Sequence, residues 1–105
     1  MRDFLSLVDL AILPDAPVGV FNVGSGEAHR ISEIFAIVAD YLGIPDASAP
    51  TRPVASDDVP VMSLDPSHTT AVLGWSPRVS FVDTIRRQLE WYDRYGVTET
   101  YSHLK

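Results

Sequence analysis

The chain has 105 residues, 46% of them hydrophobic, and 14 acidic against 8 basic residues give it a formal net charge of −6. A chain of this length buries most of its apolar surface on folding, so we expect one globular domain spanning residues 1–105. Scattered basic residues and the lack of an apolar run of roughly 20 residues argue against nucleic-acid and membrane partners. The sequence contains no cysteine, which excludes disulfides and thiolate chemistry and is typical of a cytoplasmic protein.

The first predicted element is a short N-terminal helix in the stretch FLSLVDLAILPDAP, which ends before Pro14. The run Val18–Val23 is β-branched and aromatic and lies between Pro17 and two glycines, so it predicts a short strand. The next helix covers Ile31–Leu42, where apolar residues recur with a period of about 3.6 residues. It ends at Gly43, which takes up the left-handed conformation that closes many helices.

The middle of the chain is rich in proline. The stretch from Gly43 to Pro60 predicts a loop of unusual length for a compact domain, and such loops often carry function. Val59–Leu64 is a second candidate strand, although Pro60 weakens it because proline cannot donate to a ladder.

Two further helices complete the predicted fold. A short helix begins at Asp65, which caps it, and ends at Gly74; the longest helix begins after Ser80 and ends at Gly96. We interpret Trp75 as packing the turn between them. The three helices from Ile31 onward and the short strands together predict a mixed α/β fold that is rich in helix, with about three helices and two or three short strands.

The stretch GSGEAH, Gly24–His29, contains the first two glycines of the G-x-G-x-x-G dinucleotide fingerprint, and Asp46 stands about 20 residues further on. The third glycine is replaced by His29, and GIPDA cannot form the strand whose end would present Asp46. We therefore interpret these glycines as a sharp turn, and we predict that this chain binds no NAD.

The C-terminal stretch YSHLK has the Tyr-x-x-x-Lys spacing of short-chain dehydrogenases, in Tyr101 and Lys105. These residues come after the helix stop at Gly96, where chain ends usually fray, so we interpret the match as a coincidence and assign no catalytic residue. His68 and His103 lack partners at metal-ligand spacing, so no metal site is predicted.

Four blocks of the sequence together resemble the C-terminal portion of extended short-chain dehydrogenase/reductases. The blocks are RDFL, GVFNVGSGE, RPVASDDVPVMSLDPS and LGWSPRVSFVDTIRRQLEWY, in that order. The family comprises NAD-dependent nucleotide-sugar epimerases and dehydratases, which are isomerases or lyases of carbohydrate biosynthesis. Its Rossmann half, with the glycine fingerprint and the catalytic Tyr and Lys, precedes these blocks and is missing here. The resemblance implies a single C-terminal substrate-binding domain, a fragment of the extended fold that is inactive on its own.

The resemblance also implies a substrate site. Arg2 and Arg52 correspond to the arginines that contact the nucleotide diphosphate, and Asp58 to the acid that meets the ribose, with Asp57 as an alternative because the gap after Arg52 is long. A guanidinium fork binds diphosphate oxygens in a bidentate way that lysine cannot reproduce.

The implied partners are a nucleotide sugar, held weakly, the Rossmann half if it is encoded separately, and a second copy in a homodimer. NAD is the cofactor of the full-length family and is not expected to bind this chain. The alternative is a small interaction or regulatory module that keeps the fold without binding the ligand. An upstream reading frame with a glycine fingerprint and Tyr-x-x-x-Lys would favour the enzyme.

Overall fold

The computed structural model describes residues 1–53, 55–56 and 58–97. These residues form four α-helices and no strand: α1 Arg2–Ala11, α2 Ile31–Tyr41, α3 Ser67–Leu73 and α4 Phe81–Tyr95. Within that part of the chain, no helix has the length and apolar character needed to cross a membrane.

The chain divides into two compact units. The first joins Met1–Arg30 to Pro50–Ser80 and contains α1 and α3; the second joins Ile31–Ala49 to the chain from Phe81 onward and contains α2 and α4. Every described residue predicted to bind the substrate belongs to the first unit.

The predicted helices are confirmed to within about two residues at their ends. Helix α2 begins at Ile31 as expected, and Gly43 follows it with a φ of 74°. Asp65 lies one residue before the N-cap residue Pro66 of α3, and its Oδ1 accepts the N–H of Ser67 at 2.9 Å, so it takes up a free N–H group of this helix as predicted. Gly74 and Gly96 take positive φ after α3 and α4. Terminal glycines therefore mark the C-terminal ends of α2, α3 and α4, as the sequence predicts.

Both predicted strands are wrong, and the mixed α/β class is replaced by an all-helical one over the described residues. A strand requires a neighbouring chain that takes up its backbone N–H and C=O groups. In Val18–Val23, the carbonyl of Asn22 instead accepts the hydroxyl of Thr69 at 2.6 Å. In Val59–Leu64, Pro60 has no N–H to donate. The β propensity of these runs is therefore not matched by backbone pairing.

The core of the first unit forms around Trp75, which is 5% exposed, together with Leu7 and Thr69. Trp75 therefore packs as predicted, and its indole N–H is directed at α1. Phe21 adds a stacked ring contact with His68, at a centroid distance of 5.5 Å.

In the second unit, α2 packs on α4, and Ala39 is buried. The Tyr41 hydroxyl donates to Asp93 at 2.6 Å, and Arg86 pairs with Asp40 at 2.9 Å. The hydrogen bond to Asp93 raises the pKa of the Tyr41 phenol above its ordinary value. The Arg86 pair is largely exposed, so the packing of apolar side chains stabilises this unit more than the pair does.

Candidate functional site

Arg2 is the first residue of α1 and is exposed. Its side chain makes no hydrogen bond or ion pair with the described residues. The guanidinium is therefore available to an anion, as the resemblance implies.

Asp3, next to Arg2, links α1 to the turn that follows Trp75. Its Oδ2 accepts the backbone N–H groups of Arg78 at 3.1 Å and Val79 at 3.0 Å. Its carbonyl oxygen accepts the indole N–H of Trp75 at 3.0 Å and the hydroxyl of Ser6 at 2.7 Å. This role of Asp3 is not predicted from the sequence. The available signal was that RDFL and LGWSPRVS are both blocks of the family resemblance.

Arg52 and Asp58 lie in the proline-rich segment, and both are exposed. The Arg52 side chain has no hydrogen bond or ion pair with described residues. Asp58 closes a local turn, since its Oδ2 accepts the N–H of Ala55 at 2.8 Å and its own N–H donates to the Ala55 carbonyl at 3.2 Å. The alternative residue, Asp57, lies outside the described residues.

No hydrogen bond or ion pair joins Arg2, Arg52 and Asp58 within the described ranges. They share one compact unit, but their convergence on one ligand stays a prediction. A pocket of about 290 Å³ in the same unit is lined mainly by apolar side chains, among them Leu10, Leu13 and Leu73, and by none of these three residues.

The glycines of GSGEAH pack against the chain before α3. A Cβ on Gly24 would lie 3.5 Å from the Cβ of Leu64, and a Cβ on Gly26 would lie 3.3 Å from Pro66. Gly26 also has a φ of 76°, which favours glycine.

Helix α2 begins only at Ile31, so these glycines do not lead directly into a helix N-terminus as a dinucleotide loop does. They allow close packing and a turn, and they do not fit a site for the NAD diphosphate. Tyr101 and Lys105, the other candidate match to the redox machinery, lie outside the described residues. Among the described residues, no group of three or more His, Cys, Asp or Glu side chains could hold a metal ion.

Comparison with known proteins identifies the class of relatives. The relatives of this chain are NAD-dependent nucleotide-sugar epimerases and dehydratases of the extended short-chain dehydrogenase/reductase family, so the resemblance predicted from the four blocks is confirmed. No protein-family model matches the chain.

Among the curated relatives, GDP-L-fucose synthase 1 of Arabidopsis thaliana is 33% identical over 100 residues, which cover 88% of this chain and 30% of the relative. UDP-glucose 4-epimerase of Mycolicibacterium smegmatis is 29% identical over 97 residues, which cover 87% of this chain and 31% of the relative. The chain thus spans about a third of the length of these relatives.

Two crystal structures of the Bordetella bronchiseptica enzyme WbmG resemble the whole chain. The structure in complex with NAD matches with 48% identity, and the structure in complex with NAD and UDP with 50% identity; both give a TM-score of 0.85. Each match covers 100% of this chain and 33% of WbmG. The relatives' complexes therefore include NAD, as predicted for the full-length family.

Proposed function

We propose that this chain is the nucleotide-sugar-binding, C-terminal part of an NAD-dependent nucleotide-sugar epimerase or dehydratase. The observation that carries the proposal is the match of the whole chain to one third of WbmG, an enzyme crystallised with NAD and UDP. The rest of such an enzyme would hold NAD, because the glycine loop of this chain does not fit the cofactor.

In this proposal, Arg2 and Arg52 hold the diphosphate, and Asp58 accepts a hydrogen bond from the ribose. Both guanidinium groups are exposed and have no anionic partner among the described residues, which supports their availability. The turn around Ala55 uses one oxygen of the Asp58 carboxylate and leaves Oδ1 for the ribose. Bound NAD would take up hydride from a sugar carbon in the complete enzyme. This chain alone would bind the substrate and be inactive.

A titration with UDP tests the proposal. We expect amide shifts of the labelled chain to change saturably, with the largest changes near Arg2 and in the segment around Arg52. Uridine, which lacks the diphosphate, is the matched control and should give much smaller changes. CDP, GDP and dTDP, titrated in parallel, would identify the preferred base.

Two outcomes would contradict the proposal. One is the absence of shifts at millimolar UDP, which an interaction module without a ligand would give. The other is equal response to UDP and uridine, since a site built on two arginines must respond to the diphosphate.

A further inference from the structure

Asp3 has its carboxylate and its carbonyl group fixed by the same segment of the chain. The carboxylate Oδ2 accepts the backbone N–H groups of Arg78 and Val79, at 3.1 and 3.0 Å. The carbonyl accepts the indole N–H of Trp75 at 3.0 Å, and this N–H lies equally close to the hydroxyl of Ser6. Since Trp75 is 5% exposed, this anchor is part of the core of the first unit.

Helix α1 has no other anchor at its N-terminus in the described structure. The N-cap residue Met1 provides no side-chain hydrogen bond and is 88% exposed. The first N–H groups of a helix have no partner within the helix, so an uncapped first turn frays. Arg2 lies in this turn, between the uncapped end and Asp3.

We propose that Asp3 is a positioning residue, which fixes the backbone of Arg2 and so keeps its guanidinium within reach of the diphosphate. The inference rests on the proposed nucleotide-sugar site. Asp3 acts on Arg2 through the backbone rather than through its charge, because its carboxylate accepts hydrogen bonds from two backbone amides.

This role makes a prediction opposite to that of simple electrostatics. A carboxylate beside an anion site repels the anion, so its removal by Asp3→Ala should strengthen UDP binding if only charge mattered. If Asp3 positions Arg2, the same substitution weakens binding.

The test compares UDP binding by the unmodified chain, Asp3→Ala, Arg2→Ala and the double variant, by amide-shift titration. We expect Asp3→Ala to raise the Kd about fivefold or more, and to have no further effect once Arg2 is alanine, because the two residues act as one unit. Independent, additive losses or tighter binding by Asp3→Ala would overturn the inference.

Two variants in the same cluster serve as controls. Ser6→Ala removes one acceptor of the Trp75 indole and one donor to the Asp3 carbonyl but leaves the Asp3 carboxylate intact, and Arg78→Ala leaves the backbone N–H that Asp3 accepts. Both should keep the Kd within about twofold of the unmodified chain. A loss with Ser6→Ala as large as that with Asp3→Ala would mean that Asp3 is merely structural. If Asp3→Ala does not fold, Asp3→Asn, which keeps one acceptor oxygen, replaces it, with a smaller loss expected.

A second measurement needs no ligand. The heteronuclear NOE of the Asp3 and Phe4 amides should fall in Asp3→Ala and stay unchanged in Ser6→Ala, since the first turn frays only in the former. If the unmodified chain does not bind UDP, the proposed function fails, and unchanged order of the first-turn amides in Asp3→Ala then overturns the positioning role as well. If the chain binds UDP but the losses are additive, only the positioning role fails.

Discussion

Arg52 and Asp58 lie in the same proline-rich segment, but their side chains have different surroundings. Asp58 already accepts a backbone N–H and closes a turn with Ala55, whereas the Arg52 guanidinium has no partner among the described residues. Arg52 lies between Pro50 and Pro53, and both prolines limit the backbone of the segment. Of these two residues, Arg52 is the one whose substitution tests binding without changing a local turn.

We predict that Arg52→Ala weakens UDP binding and leaves folding almost unchanged. A hydrogen bond to a charged group contributes about 1.5 to 3 kcal/mol, which corresponds to roughly a tenfold to hundredfold increase in Kd. Arg52→Lys should give a smaller loss, because it keeps the charge and loses the planar fork. The measurement is an amide-shift titration at low salt, where charge contacts are least screened.

Arg94→Ala is the matched control, since it removes an exposed arginine from the second unit. Equal UDP binding by Arg52→Ala and the unmodified chain would show that the family role does not extend to this position. Unfolding of Arg52→Ala would instead show that Arg52 is structural.

Asp65 links local structure to pH. Hydrogen bonds from Ser67, first from its side chain and then from its backbone N–H, lower the pKa of the Asp65 carboxyl below its ordinary value of 3.8. These bonds favour the charged form in the folded state. The stability that Asp65 contributes is therefore fully present above the unfolded pKa and is lost as the pH falls through the lower folded pKa.

We predict that this contribution is absent from Asp65→Asn, which keeps an acceptor but does not titrate. On acidification from about pH 6 to about pH 2.5, the unmodified chain should lose more stability than Asp65→Asn does. Thermal unfolding of both proteins across this range measures the difference. Parallel loss of stability in the two proteins would contradict a role for the Asp65 charge in capping α3.

At the scale of elements, the four helices and the two non-helical β-type runs differ in how their backbone groups are satisfied. A helix pairs its own N–H and C=O groups, so a pattern within one stretch of sequence suffices to specify it. A strand needs a second stretch of chain beside it to pair its N–H and C=O groups. Val18 and Val20 are almost fully exposed, at 103% and 92%, with no described strand beside them.

We predict rapid hydrogen exchange for the amides of Val18–Val23. Unpaired, exposed amides exchange quickly, whereas those in the middle of α2 are protected by helical hydrogen bonds. Amide exchange followed by NMR compares the two segments within one sample. Slow exchange at alternate residues of Val18–Val23 would indicate a ladder and would contradict the all-helical description.

At the scale of the molecule, much apolar surface is in contact with water. In the first unit, Phe4 and Leu5 of α1 are 55% and 53% exposed, and Ile12 beyond it is 72% exposed. The chain spans about a third of the length of its relatives. Under the proposed function, the remainder of an enzyme would cover part of this surface.

We predict that the isolated chain self-associates as its concentration rises, because large uncovered apolar patches promote association. Sedimentation over a wide concentration range measures this. The double substitution Phe4→Ser and Ile12→Ser should reduce the association, and Val97→Ser, at a 54% exposed residue of the second unit, is the control. A monomer at all concentrations would contradict the prediction.

Local sequence was enough to predict the helices, because the signals for a helix lie within a few residues of one another. In Ile31–Gly43 these signals are the apolar period and the terminal glycine. The sequence also identified the family, because four blocks in a fixed order are specific. GSGEAH alone would have suggested a dinucleotide-binding loop. The glycines there were recognised as a turn, although the structure shows that they are also needed for close approach to Leu64 and Pro66.

Contacts between residues that are distant in sequence became visible only in the folded chain. Trp75 donates its indole N–H to the carbonyl of Asp3, 72 residues away, and no local sequence pattern predicts that hydrogen bond. The same holds for the failed strands, because β-branched residues at Val18–Val23 specify an extended run but not a neighbour to pair with. A helix forms its hydrogen bonds within one stretch of chain. A strand, or a hydrogen bond such as that from Trp75 to Asp3, requires two stretches that only folding brings together.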